Sequence, residues 1–379
     1  MKKILLMCLA DATINPRPSR FIHYFESKKD IIEVIGLQPK KKTNYKYFEI
    51  KNFSGFKKYF VKALSLFLLI IQKVYKNNTL SNFTNNMRYN INKKEIERFV
   101  HHDYDYIFCE DLQLLPIAVE LKRSAKLVFD AREIYAEQNS KSLFFKFIEK
   151  SERERMLKQY LSKCDIRLTV NDKIKDYYEL KYGLDFHVIF STPLKSNFSS
   201  DIINKKEIKL VHHGLANKNR HIENMILACN TLPKNFYIDF YLTGSQQYIE
   251  KLKSYIRSDN VKILPPVDFE DIAVTLSAYD VGIYLLKPEN LNLELSLPNK
   301  FFEYINSGLA LCTGPSPVMS EIIEKNGLGL SSKTFSVQSF NETIKKLNHS
   351  NLKIFKENSR NASKIYNWSN QEKILSSLL

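Results

Sequence analysis

Glycine and proline are scarce, 10 and 12 residues in a chain of 379. Collagenous repeats and Gly/Pro-rich linker tracts need far more of both, so fibrous and linker-like architectures are excluded. Cysteine is sparse as well. Cys8, Cys109, Cys164, Cys229 and Cys312 are odd in number, far apart and mostly inside apolar runs, and no CxxC or Cys/His cluster of zinc spacing occurs. They read as reduced core thiols of a cytosolic protein. No apolar run approaches the ~20 residues of a membrane span. The opening Met1 to Ala10 resembles a secretory leader superficially, but its apolar stretch ends at Asp11 and suits a buried first strand better. Neither G-x-S-x-G nor a Walker A loop occurs, which removes the common hydrolases and P-loop enzymes.

What is present points to a folded, two-domain protein. Hydrophobic residues make up 44% and aromatics 12%, too much for a disordered chain, and at roughly 100–200 residues per domain the length suggests about two. Such a chain buries a sizeable core without staples.

Acidic residues are short at one end. Residues 1–100 hold 20 Lys and Arg against 7 Asp and Glu, so +13 of the total +16 lies in the first quarter. A one-sided basic excess implies an anionic partner for that part of the chain: a membrane surface, a phosphorylated substrate or nucleic acid. No nucleic-acid-binding module accompanies the charge, so nucleic acid is not expected. Between Phe56 and Lys76 an apolar centre, Leu66 to Ile71, is flanked at both ends by Lys and Tyr. Two readings stay open here: a core helix with a solvated Lys face, or an interfacial helix lying on a bilayer.

Short β-branched and aromatic runs alternate with helical stretches throughout, the pattern of parallel sheets with crossover helices. Strands are predicted near Lys3 to Leu9, Ile31 to Leu37, Tyr106 to Glu110, Lys126 to Asp130, Arg167 to Val170 and His187 to Phe190. The pattern then restarts, with strands near Lys209 to His212, Tyr237 to Thr243, Val261 to Leu264, Val281 to Leu285, Ala310 to Thr313 and Leu328 to Ser331. Two doubly wound α/β domains are expected, with a hinge over 191–206. Ligands of open α/β sheets bind beyond the carboxyl ends of the strands, which predicts a cleft between two facing domains.

The most informative stretch is Glu294 to Gly308. Pro298 suits a first helical turn, and Asn299, Lys300 and Glu303 then lie at the opening of a helix ending at Gly308. A phosphate can dock at such an N-terminus beside Lys300, while a carboxylate one turn along can accept from a sugar hydroxyl. The plainer alternative is a surface lysine and a solvated glutamate.

Ser296 to Gly308 resembles the SLPNKxFEYxxxG segment of GT-B fold, family 4-like retaining glycosyltransferases, enzymes of bacterial surface polysaccharide assembly. Further landmarks follow in order: Asn15 to Arg20 after the first strand, Asp130-Ala131-Arg132-Glu133, His213-Gly214-Leu215 with Arg220, Asp280-Val281-Gly282, Gly314-Pro315-Ser316, Gly327-Leu328-Gly329 and Trp368-Ser369. The resemblance spans nearly the whole chain. It implies an acceptor and membrane domain over 1–195, a nucleotide-sugar domain over 206–364, and a helix over 365–379 crossing back to the first.

On this resemblance Arg220 and Lys300 grip the donor diphosphate and Glu303 holds the ribose. Gly214, Lys218, Glu294, Ser296 and Asn299 complete the donor site. Arg17, Arg20 and Arg132 face the acceptor, and Arg132, Glu133, Arg220 and Lys300 carry the chemistry. No metal and no cofactor is expected, because fixed cations can meet the charge that grows on the leaving diphosphate. The chain departs from the pattern in three places: Leu295 stands where an acid is usual eight residues before Glu303, with Glu294 beside it; Leu215 follows the glycine where a cation is common; and Arg132 replaces a frequent His.

Asp103-Tyr104-Asp105, preceded by His101 and His102, matches the metal-binding DxD of the other large glycosyltransferase fold, but it abuts a strand, where capping is the plainer role. The pair His212 and His213 reads as structural or as a contact to phosphate or acceptor. The expectation is a cytoplasmic enzyme, peripheral on the inner face of the membrane. It would transfer a sugar from a nucleotide diphosphate to a lipid-linked saccharide in capsule or lipopolysaccharide assembly, with retention. The alternatives are a 2-epimerase or phosphorylase on the same scaffold, or a catalytically silent scaffold subunit.

Overall fold

The computed structural model describes residues 1–379 except 102, 140–141, 195–205 and 269–270. His102 and most of the expected hinge, with the boundary at 195, lie outside the described residues. The chain divides into two compact units, Met1–Ile189 with Asn290–Asn292 and Leu378, and Phe190–Glu289 with Leu293–Ser377 and Leu379.

The first unit is built on a seven-stranded parallel sheet of order β3-β2-β1-β4-β5-β6-β7. Its strands are β1 (Lys3–Met7), β2 (Ile31–Gly36), β3 (Lys46–Glu49), β4 (Tyr106–Cys109), β5 (Lys126–Ala131), β6 (Ile166–Thr169) and β7 (His187–Val188). Covered on both faces, the central strands are buried almost end to end, which is why they read as unbroken apolar runs. The six expected strands are present. β3 was not expected: this edge strand, Lys-Tyr-Phe-Glu, is half exposed and gives no apolar run. It is held where Tyr47 Oη donates to the Leu37 carbonyl at 2.6 Å. Asn15 to Arg20 opens a helix over Pro16–Ser27, because Pro16 and Pro18 fall in a first turn that needs no donor from them.

The second unit carries a six-stranded parallel sheet of order β10-β9-β8-β11-β12-β13. Its strands, β8 (Ile208–Ala216), β9 (Phe236–Gly244), β10 (Val261–Leu264), β11 (Val281–Tyr284), β12 (Ala310–Thr313) and β13 (Gly329–Ser331), match all six expected positions. Both sheets are doubly wound, with the strand order reversing between β1 and β4 and between β8 and β11. The pairing of β8 with β11 ends at Val211 opposite Gly282, whereas β8 stays paired with β9 as far as Ala216. From His212 onward β8 leaves the ladder with β11, which opens the switch point on that side.

Two local devices position the helix Asn299–Asn306 over that opening. A Cβ on Gly282 would stand 2.3 Å from the Tyr304 ring, so only glycine lets this helix lie directly on β11. Asp280 anchors the start of β11: it accepts the Lys209 amide at 3.0 Å and pairs at 2.9 Å with the buried ammonium of Lys356. Trp368, fully buried, opens the last helix, Trp368–Leu378, and its amide donates to the Pro193 carbonyl at 2.9 Å.

Candidate active site

The switch point of the second sheet gathers a cationic group around a bare backbone. Gly214 sits in β8 at φ +123, and a Cβ there would lie 2.8 Å from Lys300 Nζ and 4.0 Å from an Arg220 guanidinium nitrogen. Lys300 reaches inward from the first turn of its helix and is buried, with its ammonium 5.1 Å above the Tyr284 ring and 3.5 Å from His212 Nε2. Arg220 closes the short turn Lys218–Arg220 that follows β8.

Burial and then the Arg220 charge push the Lys300 ammonium down to about 7, and Glu303 pulls the other way without restoring it. His212 is held well below the usual imidazole range by burial first and Lys300 second. Its Nδ1 lies 2.9 Å from the Ile283 carbonyl, which only accepts, so the proton is assigned to Nδ1 and the Nε2 lone pair faces Lys300. Glu303, buried one turn along the helix, has a carboxylate oxygen 3.1 Å from His213 Nε2. The helix has no side-chain cap, so the donors of its first turn add to the positive field. A buried lysine and a half-buried arginine beside an open glycine, with an acid and imidazoles next to them, can receive a doubly charged anion.

The structure brings Gly214, Arg220, Lys300 and Glu303 together and adds the two histidines. Asn299 is half-buried at the first helical position. Three other expected donor residues stand apart in the contacts they make. Lys218 and Glu294 are exposed, and the Ser296 hydroxyl donates to the Leu293 carbonyl at 2.8 Å. Leu295 packs against the core around Phe302, so the position where the family pattern wants an acid serves packing.

In the first unit the expected acceptor-side arginines separate. Arg17 is buried and committed to a clamp: its guanidinium forks onto Asp130, one contact at 2.8 Å, and donates to the Ile189 carbonyl at 2.7 Å. Arg20 is buried one turn on in the same helix. Arg132 keeps an exposed edge and lies 3.0 Å from Asp111 Oδ1 and 3.5 Å from Glu110 Oε2. Glu133 is exposed and accepts from Asn292 Nδ2 at 3.2 Å and from Gln138.

Sequence reasoning missed Glu110. It follows β4 at the first sheet's switch point, is fully buried, and burial raises its carboxyl to about 8 against the opposing Arg132 charge. Neither of its oxygens has a hydrogen-bond partner among the described residues. The available sign was two consecutive acids directly after a four-residue apolar strand. Of the DxD match, Asp103 pairs with the Lys3 ammonium and Asp105 accepts the Lys3 amide at 2.7 Å, so both secure the start of β1. Among the described residues no three His, Cys, Asp or Glu side chains cluster as metal ligands do.

No family model and no curated protein matches this sequence. Solved structures do match over the full length. Sucrose-phosphate synthase from Thermosynechococcus elongatus superposes with a TM-score of 0.71 at 12% identity, over 100% of this chain and 98% of its own. WaaG, a glycosyltransferase involved in lipopolysaccharide biosynthesis, gives 0.70 at 13% identity, with 99% of each chain covered. The Anabaena protein HepE, solved with UDP and glucose, gives 0.68 at 12% identity over 100% and 99%. At these identities the likeness defines the fold: two Rossmann-like α/β domains of the GT-B class.

Proposed function

We infer that this chain is a glycosyltransferase that takes a sugar from a nucleotide diphosphate. The observation that carries the reading is the convergence of Lys300 and Arg220 on Gly214 at a sheet switch point, with Glu303 one helical turn away. In this assignment the diphosphate lies against Gly214, neutralised by both cations, and Glu303 accepts the ribose hydroxyls. The neighbours solved with UDP, UDP-glucose and a UDP-2-fluoro glucose analogue support that class of donor.

Departure of the diphosphate builds negative charge where the cations already stand, so they stabilise the transition state more than the ground state. Retention follows from same-face displacement: the acceptor oxygen bonds to the anomeric carbon as the carbon–phosphate oxygen bond breaks, and that phosphate oxygen takes the acceptor proton. No dedicated base is needed, and fixed cations serve in place of a metal. Arg132, with Glu110 and Asp111, is assigned to the acceptor side. A lipid-linked saccharide of capsule or lipopolysaccharide type is the acceptor proposed, which would set the protein to work at the cytoplasmic face of a membrane.

The test is thermal stability with a panel of UDP-, GDP- and CDP-sugars, with and without EDTA, on wild type and Glu303→Ala. Binding at a hundred times Kd stabilises the fold by ~2.7 kcal/mol. A shift with one nucleotide, indifferent to EDTA and lost in the variant, is expected. No shift with any of them would favour a silent scaffold, and donor turnover without acceptor would favour an epimerase.

A further inference from the structure

The helix Gly55–Tyr75 has two apolar faces, and the protein covers only one. Val61, Ser65, Leu69 and Gln72 are buried against the first unit. Phe56, Phe60, Ala63, Phe67, Ile70 and Val74 recur at four- and three-residue steps, which at 3.6 residues per turn aligns them in a stripe roughly opposite the buried one. That stripe is open to solvent: Phe56 is 84% exposed, Phe67 59% and Val74 73%. The reading of a core helix with a solvated Lys face therefore does not hold, because the outward face is apolar.

Lysines occupy the flanks instead. Lys62 and Lys73 line one border and Lys57 the other, all exposed. Lys73 lies 5.7 Å from the ring of Phe147, itself 56% exposed, so the apolar surface continues onto the neighbouring turn. From residue 50 through 94 the chain has nine Lys or Arg and no Asp or Glu. A second copy of this face would meet it with the same charge, which opposes self-pairing. A layer of hydrocarbon beneath anionic headgroups fits both features at once: aromatic and aliphatic side chains enter the acyl boundary while lysine stems reach the phosphates. Among the described residues no helix is long and apolar enough to cross a membrane, so this one would lie in the surface.

We propose that the outward face of the Gly55–Tyr75 helix, with Phe147, is a docking surface for an anionic lipid bilayer. The proposal stands on the exposed stripe and its lysine borders, independently of the transfer chemistry. The test is flotation of the full chain with vesicles of phosphatidylcholine alone and with about 30% phosphatidylglycerol, in low and high salt. Wild type should float with the anionic vesicles and lose binding as salt rises. Phe60→Ser with Phe67→Ser should weaken binding at least about tenfold, and Lys62→Glu with Lys73→Glu by about fivefold or more per residue. All four positions are exposed, so both variants should keep wild-type unfolding cooperativity and nucleotide binding. Phe67→Trp should shift its emission to the blue on vesicles against the constant signal of the buried Trp368. Failure of wild type to float in low salt, or flotation of both double variants like wild type, would overturn the proposal. So would a concentration-dependent dimer that Phe60→Ser with Phe67→Ser dissolves.

Discussion

Replacing Lys300 with methionine should stabilise the ligand-free protein while abolishing anion binding. In the folded chain burial and Arg220 bring the ammonium from its ordinary 10.5 to about 7. At 1.36 kcal/mol per unit, that depression sets up to about 5 kcal/mol against the charged form. The unfolded chain holds a proton between these values that the folded chain releases, so wild-type stability rises with pH across that window and is lowest below about 7. Methionine removes the titration. The variant should lead wild type by up to about 4 kcal/mol near neutrality and by about 1 kcal/mol near pH 9.5. Loss or gain of packing is common to both conditions, so the narrowing of about 3 kcal/mol isolates the charge. Urea unfolding of both proteins at the two pH values measures it. Parallel pH profiles would refute the reasoning, because they would mean that the ammonium is solvated. The companion measurement is binding of inorganic pyrophosphate, which wild type should show and the variant should lose.

Gly214→Ala places a methyl 2.8 Å from Lys300 Nζ on a backbone at φ +123, and should weaken nucleotide binding by about tenfold or more in calorimetry while the fold persists. Binding of a diphosphate above neutral pH should draw a proton onto Lys300, seen as a heat of binding that depends on the buffer's ionisation enthalpy. Glu110 is held protonated, so the stability it contributes is present in acid and lost as pH rises from the ordinary carboxylate range through about 8. Glu110→Gln should therefore match wild type near pH 4.5 and exceed it by a few kcal/mol near pH 9 in the same urea assay. Lys356→Met leaves Asp280 buried without its cation and should cost about 3–5 kcal/mol, much of it recovered by adding Asp280→Asn.

The strands were legible because parallel strands buried on both faces carry their own mark. β1, β4 and β12 read as apolar runs before any partner is known. β3 failed to read for the complementary reason: an edge strand with half-exposed residues has no run to show. Of the candidate site, Lys300 and Glu303 were visible as the opening of one helix, and Gly214 as part of the His213-Gly214-Leu215 landmark with Arg220. A resemblance in motif order linked them, although their local chemistry left open whether they were surface charges.

Local sequence could reach the order of strands, the one-sided charge and the helix that carries Lys300 and Glu303, because periodicity, caps and composition act over a few residues. Which side chains meet was a matter for the tertiary fold. Lys300 and His212 stand 88 residues apart in the chain and touch only because the strand order reverses at β8 and Gly282 lets the helix down onto β11. Glu110 acquired its opposing charge from Arg132, just past β5, and its perturbed carboxyl from burial, neither of which is written beside it. The Gly55–Tyr75 segment is apolar on both sides, and a sequence that is apolar on both sides does not say which side the protein will cover. Burial is a property of the whole packed chain, and it left one face of that helix to the solvent.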